Sequence, residues 1–125
     1  MSTTLREMMA AAQAAVPMIA PEEVAALVSQ GKALVVDVRD GAEVQASGKV
    51  KGALHVPRSF LEFKADPESP AYDPSFQKNK TIVVYCGSGS RSALAGKTLK
   101  DLGYADVRNL GGFQDWAMSG GAIER

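Results

Sequence analysis

The chain contains a single cysteine, Cys86, and the residues that follow it are of a kind that can stabilise a thiolate. The segment CGSGSRS, residues 86–92, comes directly after the apolar run TIVVY and before a segment with helical periodicity. A thiol between a strand end and a helix start lies where backbone N–H groups lack intrahelical partners, and these groups favour the thiolate over the thiol. The sequence therefore predicts that Cys86 is a nucleophile.

The residue types around Cys86 predict an anion-binding loop. Gly87 and Gly89 permit positive φ and add no side chain, so successive N–H groups can curve around the sulfur. Three serines of the loop add hydroxyl donors without bulk; they are Ser88, Ser90 and Ser92. The alternative is a core cysteine beside a simple turn.

The cysteine count also restricts the chemistry. Cys86 has no second cysteine in the chain with which to form a disulfide, so a group that it accepts must pass to another molecule. One cysteine and one histidine are too few for a structural zinc site, and neither a metal nor a cofactor is predicted.

Helical and strand-like segments alternate along the chain, which indicates an α/β domain with a parallel sheet. The predicted strands are ALVVDV (33–38), ALHV (53–56), TIVVY (81–85) and VRNL (107–110). In open parallel sheets, functional groups gather at the carboxyl ends of the strands, which is where Cys86 stands.

An amphipathic helix is predicted in an N-terminal extension, residues 1–17, ahead of a domain that spans residues 18–125. Thr4 and Glu7 have the spacing of a capping box. One helical face carries Leu5, Met8, Met9, Ala12 and Val16. We expect this helix to pack on the domain or on a partner, and its methionine-bearing face could support a homodimer. Charged and polar residues interrupt its apolar stretch, so no export signal is predicted and a cytoplasmic location is expected.

The balance of charged residues argues against partners that are attracted by a net charge on the protein. The 14 Lys and Arg residues equal the 14 Asp and Glu residues in number. We therefore expect neither nucleic acid nor a membrane surface as a partner, and any anion must be recognised locally.

Four segments together resemble the single-domain rhodanese-type sulfurtransferases: VVDVRDGAEV, GALHVPR, VVYCGSGSRSA and NLGGFQDW. The resemblance runs from about Met18 to the C-terminus. It implies an open five-stranded parallel sheet with helices on both faces, with a short first strand near Met18 and Ile19. It also implies that Cys86 carries sulfane sulfur as a persulfide. The segment GKVKGA, residues 48–53, departs from the family pattern because it lacks a histidine.

The loop length favours one chemistry of this fold over another. Arg91 ends a Cys-x4-Arg loop, whereas the related dual-specificity phosphatases and arsenate reductases have Cys-x5-Arg. The shorter loop suits sulfur better than a phosphoryl group. We expect transfer from a small donor, thiosulfate, through a Cys86 persulfide to cyanide or a thiol. The alternatives are a phosphatase or arsenate reductase and a non-catalytic module that binds a partner.

Other polar residues have predicted roles around the loop. Arg91 could steer an anionic donor or pair with a carboxylate. Arg58 is a candidate for donor binding, with a solvated surface arginine as the alternative. Asp37 and Arg39 match the D-x-R element of the family and are expected to brace neighbouring loops. For His55, the sole histidine, a structural role is expected rather than that of a base.

Overall fold

The computed structural model of the chain describes residues 2–125, which contain six α-helices and six strands. The helices are α1 (Leu5–Ala15), α2 (Pro21–Ser29), α3 (Gly41–Ser47), α4 (Leu61–Ala65), α5 (Ser90–Asp101) and α6 (Phe113–Met118). The strands are β1 (Ala33–Asp37), β2 (Lys49–Val50), β3 (Leu54–His55), β4 (Thr81–Cys86), β5 (Val107–Gly112) and β6 (Ile123–Glu124). No helix among residues 2–125 is both long enough and apolar enough to cross a membrane.

Four parallel strands form the central sheet in the order β3-β1-β4-β5. From β1 the chain continues to β3 on one side, and from β4 it continues to β5 on the other side. The loops that follow β1 and β4 therefore diverge and leave a crevice at the carboxyl ends of these strands, the usual binding position of open α/β sheets. This arrangement confirms the predicted α/β class.

The predicted first strand is a single parallel bridge between Met18 and Asn109, at the outer edge of β5. Two backbone hydrogen bonds hold it: Ile19 N–H donates to Asn109 O at 3.0 Å, and Asn109 N–H donates to Pro17 O at 2.9 Å. Pro17 has no N–H with which to extend the ladder, and Pro21 already begins α2. The sheet therefore has four strands rather than five.

Helices cover both faces of the sheet, as predicted. The side chains of β4 alternate between the two faces, because successive residues of a strand point in opposite directions. One apolar cluster contains Ile82, Val84 and Cys86 together with Leu61 of α4 and Leu99 of α5. The other contains Val83 and Tyr85 together with Val24 of α2 and Trp116 of α6. Cys86 thus projects toward the face that α5 covers.

The N-terminal helix begins with the predicted capping box. The Glu7 N–H donates to Thr4 Oγ1 at 3.1 Å, and the Thr4 N–H donates to Glu7 Oε1 at 3.0 Å. The helix packs on α5, with Ala12 fully buried and Val16 in the core. Close approach requires Gly96, since a Cβ on this residue would lie 2.9 Å from Val16 Cγ1. The helix therefore docks on its own domain.

The predicted apolar face of α1 is only partly covered. Leu5 is 65% exposed and Met8 48% exposed, while Met9 is half-buried. The homodimer through this face and the boundary at residue 18 both stay predictions.

A second, two-stranded antiparallel sheet pairs β2 with β6. It joins the C-terminus to the segment in which GKVKGA departs from the family pattern. A Cβ on Gly48 would lie 2.7 Å from the backbone oxygen of Glu124, so glycine is required for this close contact. This sheet was not predicted from the sequence.

Candidate active site

Cys86 is the last residue of β4, and backbone N–H groups of the following loop point at its sulfur. The Gly89 N–H donates to Sγ at 3.0 Å, and the Ser92 N–H donates to it at 3.4 Å. Cys86 has no exposed surface. The loop therefore surrounds the sulfur with main-chain donors, as the nest geometry requires.

Gly89 allows this turn of the backbone because it has a φ of 104°, in the left-handed region. Helix α5 begins at the next residue, Ser90, so the loop leads directly into the helix N-terminus. Gly87, which also permits a positive φ, does not adopt one. Its carbonyl instead packs so closely against Gly112 that a Cβ there would lie 2.4 Å from the Gly87 oxygen.

The Ser92 hydroxyl lies between the sulfur and a buried amide. Its oxygen is 3.3 Å from Cys86 Sγ and 2.8 Å from Asn109 Oδ1. A hydroxyl has one proton to donate. In the thiol state, Sγ–H can donate to Ser92 while Ser92 donates to Asn109. In the thiolate state, the Ser92 proton can turn toward the sulfur instead.

Asn109 connects the loop to β5 and was not among the predicted site residues. Its Oδ1 also accepts the Gly111 N–H at 2.9 Å, and its Nδ2 donates to Gly89 O at 3.1 Å. One feature of the sequence could have indicated its role. Asn109 is an amide residue within the predicted strand VRNL, and a buried polar side chain in a strand needs hydrogen-bond partners.

These contacts set the ionisation of Cys86. Burial raises the pKa of the thiol, but hydrogen bonds from the Ser92 hydroxyl and from the N–H groups of Ser92, Gly89 and Ser88 outweigh it. The pKa of Cys86 is therefore held below its usual value, and the thiolate is favoured.

Arg91 forms a two-point ion pair with Glu43 of α3. Nη1 donates to Oε1 at 2.7 Å and Nη2 donates to Oε2 at 3.0 Å. Hydrogen bonding to Arg91 is the main cause that lowers the pKa of Glu43 to about 2. Because α3 follows β1 and α5 follows β4, this pair bridges the crevice between the two diverging loops. Arg91 was predicted either to steer an anionic donor or to pair with a carboxylate. In the structure it pairs with the carboxylate of Glu43.

Asp37 and Arg39 form a buried network below the crevice. Arg39 Nη2 donates to Asp37 Oδ2 at 2.8 Å and to Gly48 O at 2.8 Å. The Tyr85 hydroxyl donates to Asp37 Oδ2 at 2.6 Å and accepts the Val50 N–H at 3.0 Å. The network ties the ends of β1 and β4 to the segment around β2, an arrangement that braces these loops.

Arg58 and His55 make contacts with neighbouring structural elements. Arg58 donates to Glu62 Oε1 at 2.9 Å and to Thr98 Oγ1 at 3.1 Å. Thr98 lies eight residues beyond the start of α5, about 12 Å along the helix at its usual rise. These contacts favour a structural role for Arg58, and donor binding by it stays a prediction. The Nε2 of His55 is 2.8 Å from Arg39 O, so this ring bonds to backbone.

The chain is similar to known proteins over most of its length. Residues 20–119 match the rhodanese-like domain family. The thiosulfate:glutathione sulfurtransferase of Homo sapiens is 31% identical over 110 residues, which cover 82% of this chain and 95% of that protein. The thiosulfate sulfurtransferase PspE of Escherichia coli (strain K12) is 34% identical over 83 residues, which cover 66% of this chain and 73% of that protein.

A solved structure also matches nearly the whole chain. It is a protein of unknown function, RPA3614, from Rhodopseudomonas palustris CGA009, described as a "Possible Tyrosine Phosphatase". Its identity is 37% and its TM-score 0.88, with coverage of 99% of this chain and 96% of that chain. The family match over residues 20–119 and the sulfurtransferase relatives agree with the parallel sheet and its cysteine loop: the chain belongs to the rhodanese-like domain family.

Proposed function

We propose that the chain is a sulfurtransferase in which Cys86 takes a sulfane sulfur from thiosulfate and passes it to a thiol or to cyanide. The observation that carries the proposal is the pair of loop N–H groups, from Gly89 and Ser92, directed at Cys86 Sγ. They stabilise the negative charge on Sγ in the thiolate, and again when Cys86 leaves as a thiolate during transfer of the terminal sulfur. The names of the relatives, two of which act on thiosulfate, support the choice of donor.

The proposed reaction has two half-reactions. The Cys86 thiolate attacks the outer sulfur of thiosulfate, a new S–S bond forms, and sulfite leaves with the electron pair of the bond that breaks. The acceptor, as cyanide or a thiolate, then attacks the terminal sulfur of the Cys86 persulfide. The Cys86 thiolate returns, and thiocyanate or an acceptor persulfide is released.

The burial of Cys86 supports a small donor. With no exposed surface on this residue, any donor must displace part of the loop to reach the sulfur. The required displacement increases with the size of the donor. A compact anion such as thiosulfate therefore fits better than the aryl phosphate of a phosphotyrosine.

Supporting roles follow from the contacts of the surrounding residues. Arg91 and Glu43 hold α5 and α3 together across the crevice, and Asp37 with Arg39 braces the loops below it. Arg58 supports the start of α4 against α5 through Glu62 and Thr98. In this assignment none of the three arginines is the primary ligand of the donor.

The test is intact-protein mass spectrometry after incubation with thiosulfate and removal of the excess. We expect the wild type to gain the mass of one sulfur atom, to release one equivalent of sulfite, and to lose the added mass with cyanide. Since Cys86 is the only cysteine, the added sulfur needs no further localisation. Cys86→Ser, which changes one atom, serves as the matched control and is expected to gain nothing.

Two other outcomes would contradict the proposal. Hydrolysis of para-nitrophenyl phosphate without sulfur loading would favour the phosphatase suggested by the description of the Rhodopseudomonas structure. A folded protein with neither activity would favour a module that binds a partner.

A further inference from the structure

A cleft of about 340 Å³ lies between the N-terminal helix and the cysteine loop. The residues that matter here are Met9 and Gln13 of α1, Met18, and Ser88, Gly89 and Ser90 of the loop. Gly89 belongs to both features, since it lines the cleft and its N–H donates to Cys86 Sγ at 3.0 Å. The cleft therefore adjoins the cradle of the reactive sulfur.

The cleft is larger than the donor requires. A water molecule occupies about 30 Å³ of liquid, so a five-atom anion such as thiosulfate would fill only part of the space. Small-molecule sites begin at roughly 300 Å³. The volume therefore suits an organic molecule of more than a few heavy atoms.

The side chains that line the cleft offer no ion-pair partner. Of the side chains that line it within residues 2–125, none is ionised: they are thioethers, amides, hydroxyls and small apolar groups. Arg91, the cation of the adjacent loop, is paired with Glu43 at two points. A carboxylate held against α1, away from the N–H groups of the loop, would lose hydration without gaining an ion pair, whereas methionine side chains adapt to alkyl chains.

Helix α1 is a built wall of this cleft. Met9, Gln13 and Val16 follow one another at spacings of four and three residues, so they share one helical face. Ala12 is fully buried, and the contact between Val16 and Gly96 fixes the helix on α5. The family match begins at residue 20, so this wall lies outside the matched span. The Rhodopseudomonas structure, which aligns with 99% of the chain, covers it.

We propose that this cleft is the acceptor site, and that it binds an uncharged thiol on a short alkyl or acyl chain. This inference rests on the proposed persulfide chemistry. The acceptor thiolate attacks the terminal sulfur of the Cys86 persulfide, a new S–S bond forms on the acceptor, and the electron pair of the broken bond returns to Cys86. The acceptor leaves as its persulfide, and Gln13 and Met9 act as specificity-determining residues.

The experiment separates loading from transfer. The protein is loaded with thiosulfate, freed of excess donor, and mixed with N-acylcysteamines of increasing acyl length. Matched thiols whose acyl chain ends in a carboxylate provide the charged series, because a remote carboxylate hardly changes the ionisation of the thiol. We expect the transfer rate to rise about twofold per methylene in this half-open cleft, since full burial corresponds to about fourfold. We expect transfer to a neutral thiol to be about tenfold faster than transfer to the matched thiol that carries a carboxylate.

Gln13→Lys tests the wall directly, because Gln13 is exposed and the variant should fold. A lysine there should increase transfer to the carboxylate thiol by about fivefold, the effect of one exposed ion pair. Gln30→Lys adds the same charge at the exposed end of α2. In this control, the ratio of the transfer rate to the neutral thiol over that to the carboxylate thiol should stay at the wild-type value.

The outcomes distinguish the two proposals. Two results obtained with normal sulfur loading would overturn the acceptor site alone. One is an equal transfer rate to neutral and charged thiols. The other is the same ratio of these two rates in Gln13→Lys and in Gln30→Lys. A wild-type protein that never loads sulfur would overturn the proposed function and this inference with it.

Discussion

Replacing Ser92 by alanine should make the thiol of Cys86 less acidic. The substitution removes the hydroxyl whose oxygen is 3.3 Å from Sγ, while the Ser92 and Gly89 N–H donors belong to the backbone and remain. Ser92 is fully buried on the same face as the sulfur, so no water takes the place of the lost hydroxyl without rearrangement.

The size of the effect follows from competition for one proton. A hydrogen bond to a charged group contributes about 1.5–3 kcal/mol. To donate to the thiolate, the Ser92 hydroxyl must give up its hydrogen bond to Asn109 Oδ1, which offsets part of the gain. Asn109 Oδ1 still accepts the Gly111 N–H. We therefore take the lower end of this energy range. About 1.4 kcal/mol corresponds to a tenfold lower thiolate fraction at a pH below the pKa. A more basic thiolate is about threefold more nucleophilic, given a Brønsted slope of about 0.4–0.5.

The assay is the rate of alkylation by iodoacetamide, followed by intact mass across a range of pH. Ser92→Ala should react about threefold more slowly than wild type at low pH and about threefold faster where the thiol is fully ionised. Ser29→Ala removes a serine hydroxyl at the exposed end of α2 and should reproduce the wild-type profile. If the Ser92→Ala profile also coincided with wild type, the Ser92 hydroxyl would be donating to Asn109 in both states of the thiol. Ser92 would then have no role in stabilising the thiolate.

Three further changes test the surroundings of the loop. Glu43→Gln should cost at most about 1 kcal/mol at pH 6, since the pair with Arg91 is more than a third exposed. Because the pKa of Glu43 is lowered to about 2, this difference in urea unfolding should shrink as pH falls from about 4.5 toward 2, and a constant difference would contradict the ion pair. Gly96→Ala should crowd Val16, and amide exchange should then accelerate in α1 but not in β4. Gly112→Ala, whose Cβ would lie 2.4 Å from a loop carbonyl, should reduce sulfur loading in mass spectra, and normal loading would show that the loop tolerates displacement.

Local spacing explains most of what the sequence could predict. The capping box at Thr4, the bond from the Asp40 N–H to Glu43 Oε1 and the left-handed glycine that follows α2, Gly31, each involve residues a few positions apart. The strand, loop and helix around Cys86 are likewise continuous in sequence, so their order and the inward N–H groups could be anticipated.

Contacts between distant segments could not be predicted in the same way. Glu43 is recognisable as a capping residue of α3, but nothing local indicates that the same carboxylate also binds Arg91, 48 positions away. The pairing of β2 with β6 joins strands of two residues each, which are too short for a periodic signal. Asn109 is recognisable only as part of a strand, because Ser92, the loop residue whose hydroxyl it accepts, lies 17 positions away.

The ion pair between Arg91 and Glu43 relates the structure to the choice between sulfur and phosphoryl transfer. In the proposed reaction Cys86 carries one negative charge before and after loading, because a thiolate and a persulfide anion are both monoanions. A cradle of neutral N–H and O–H donors suits a monoanion and needs no guanidinium. A phosphorylated cysteine would carry a charge of about −1.5 to −2 and would call for a free guanidinium with bidentate geometry. Arg91 already uses that geometry for Glu43, so phosphoryl transfer would first have to break this pair, whereas sulfur transfer leaves it intact.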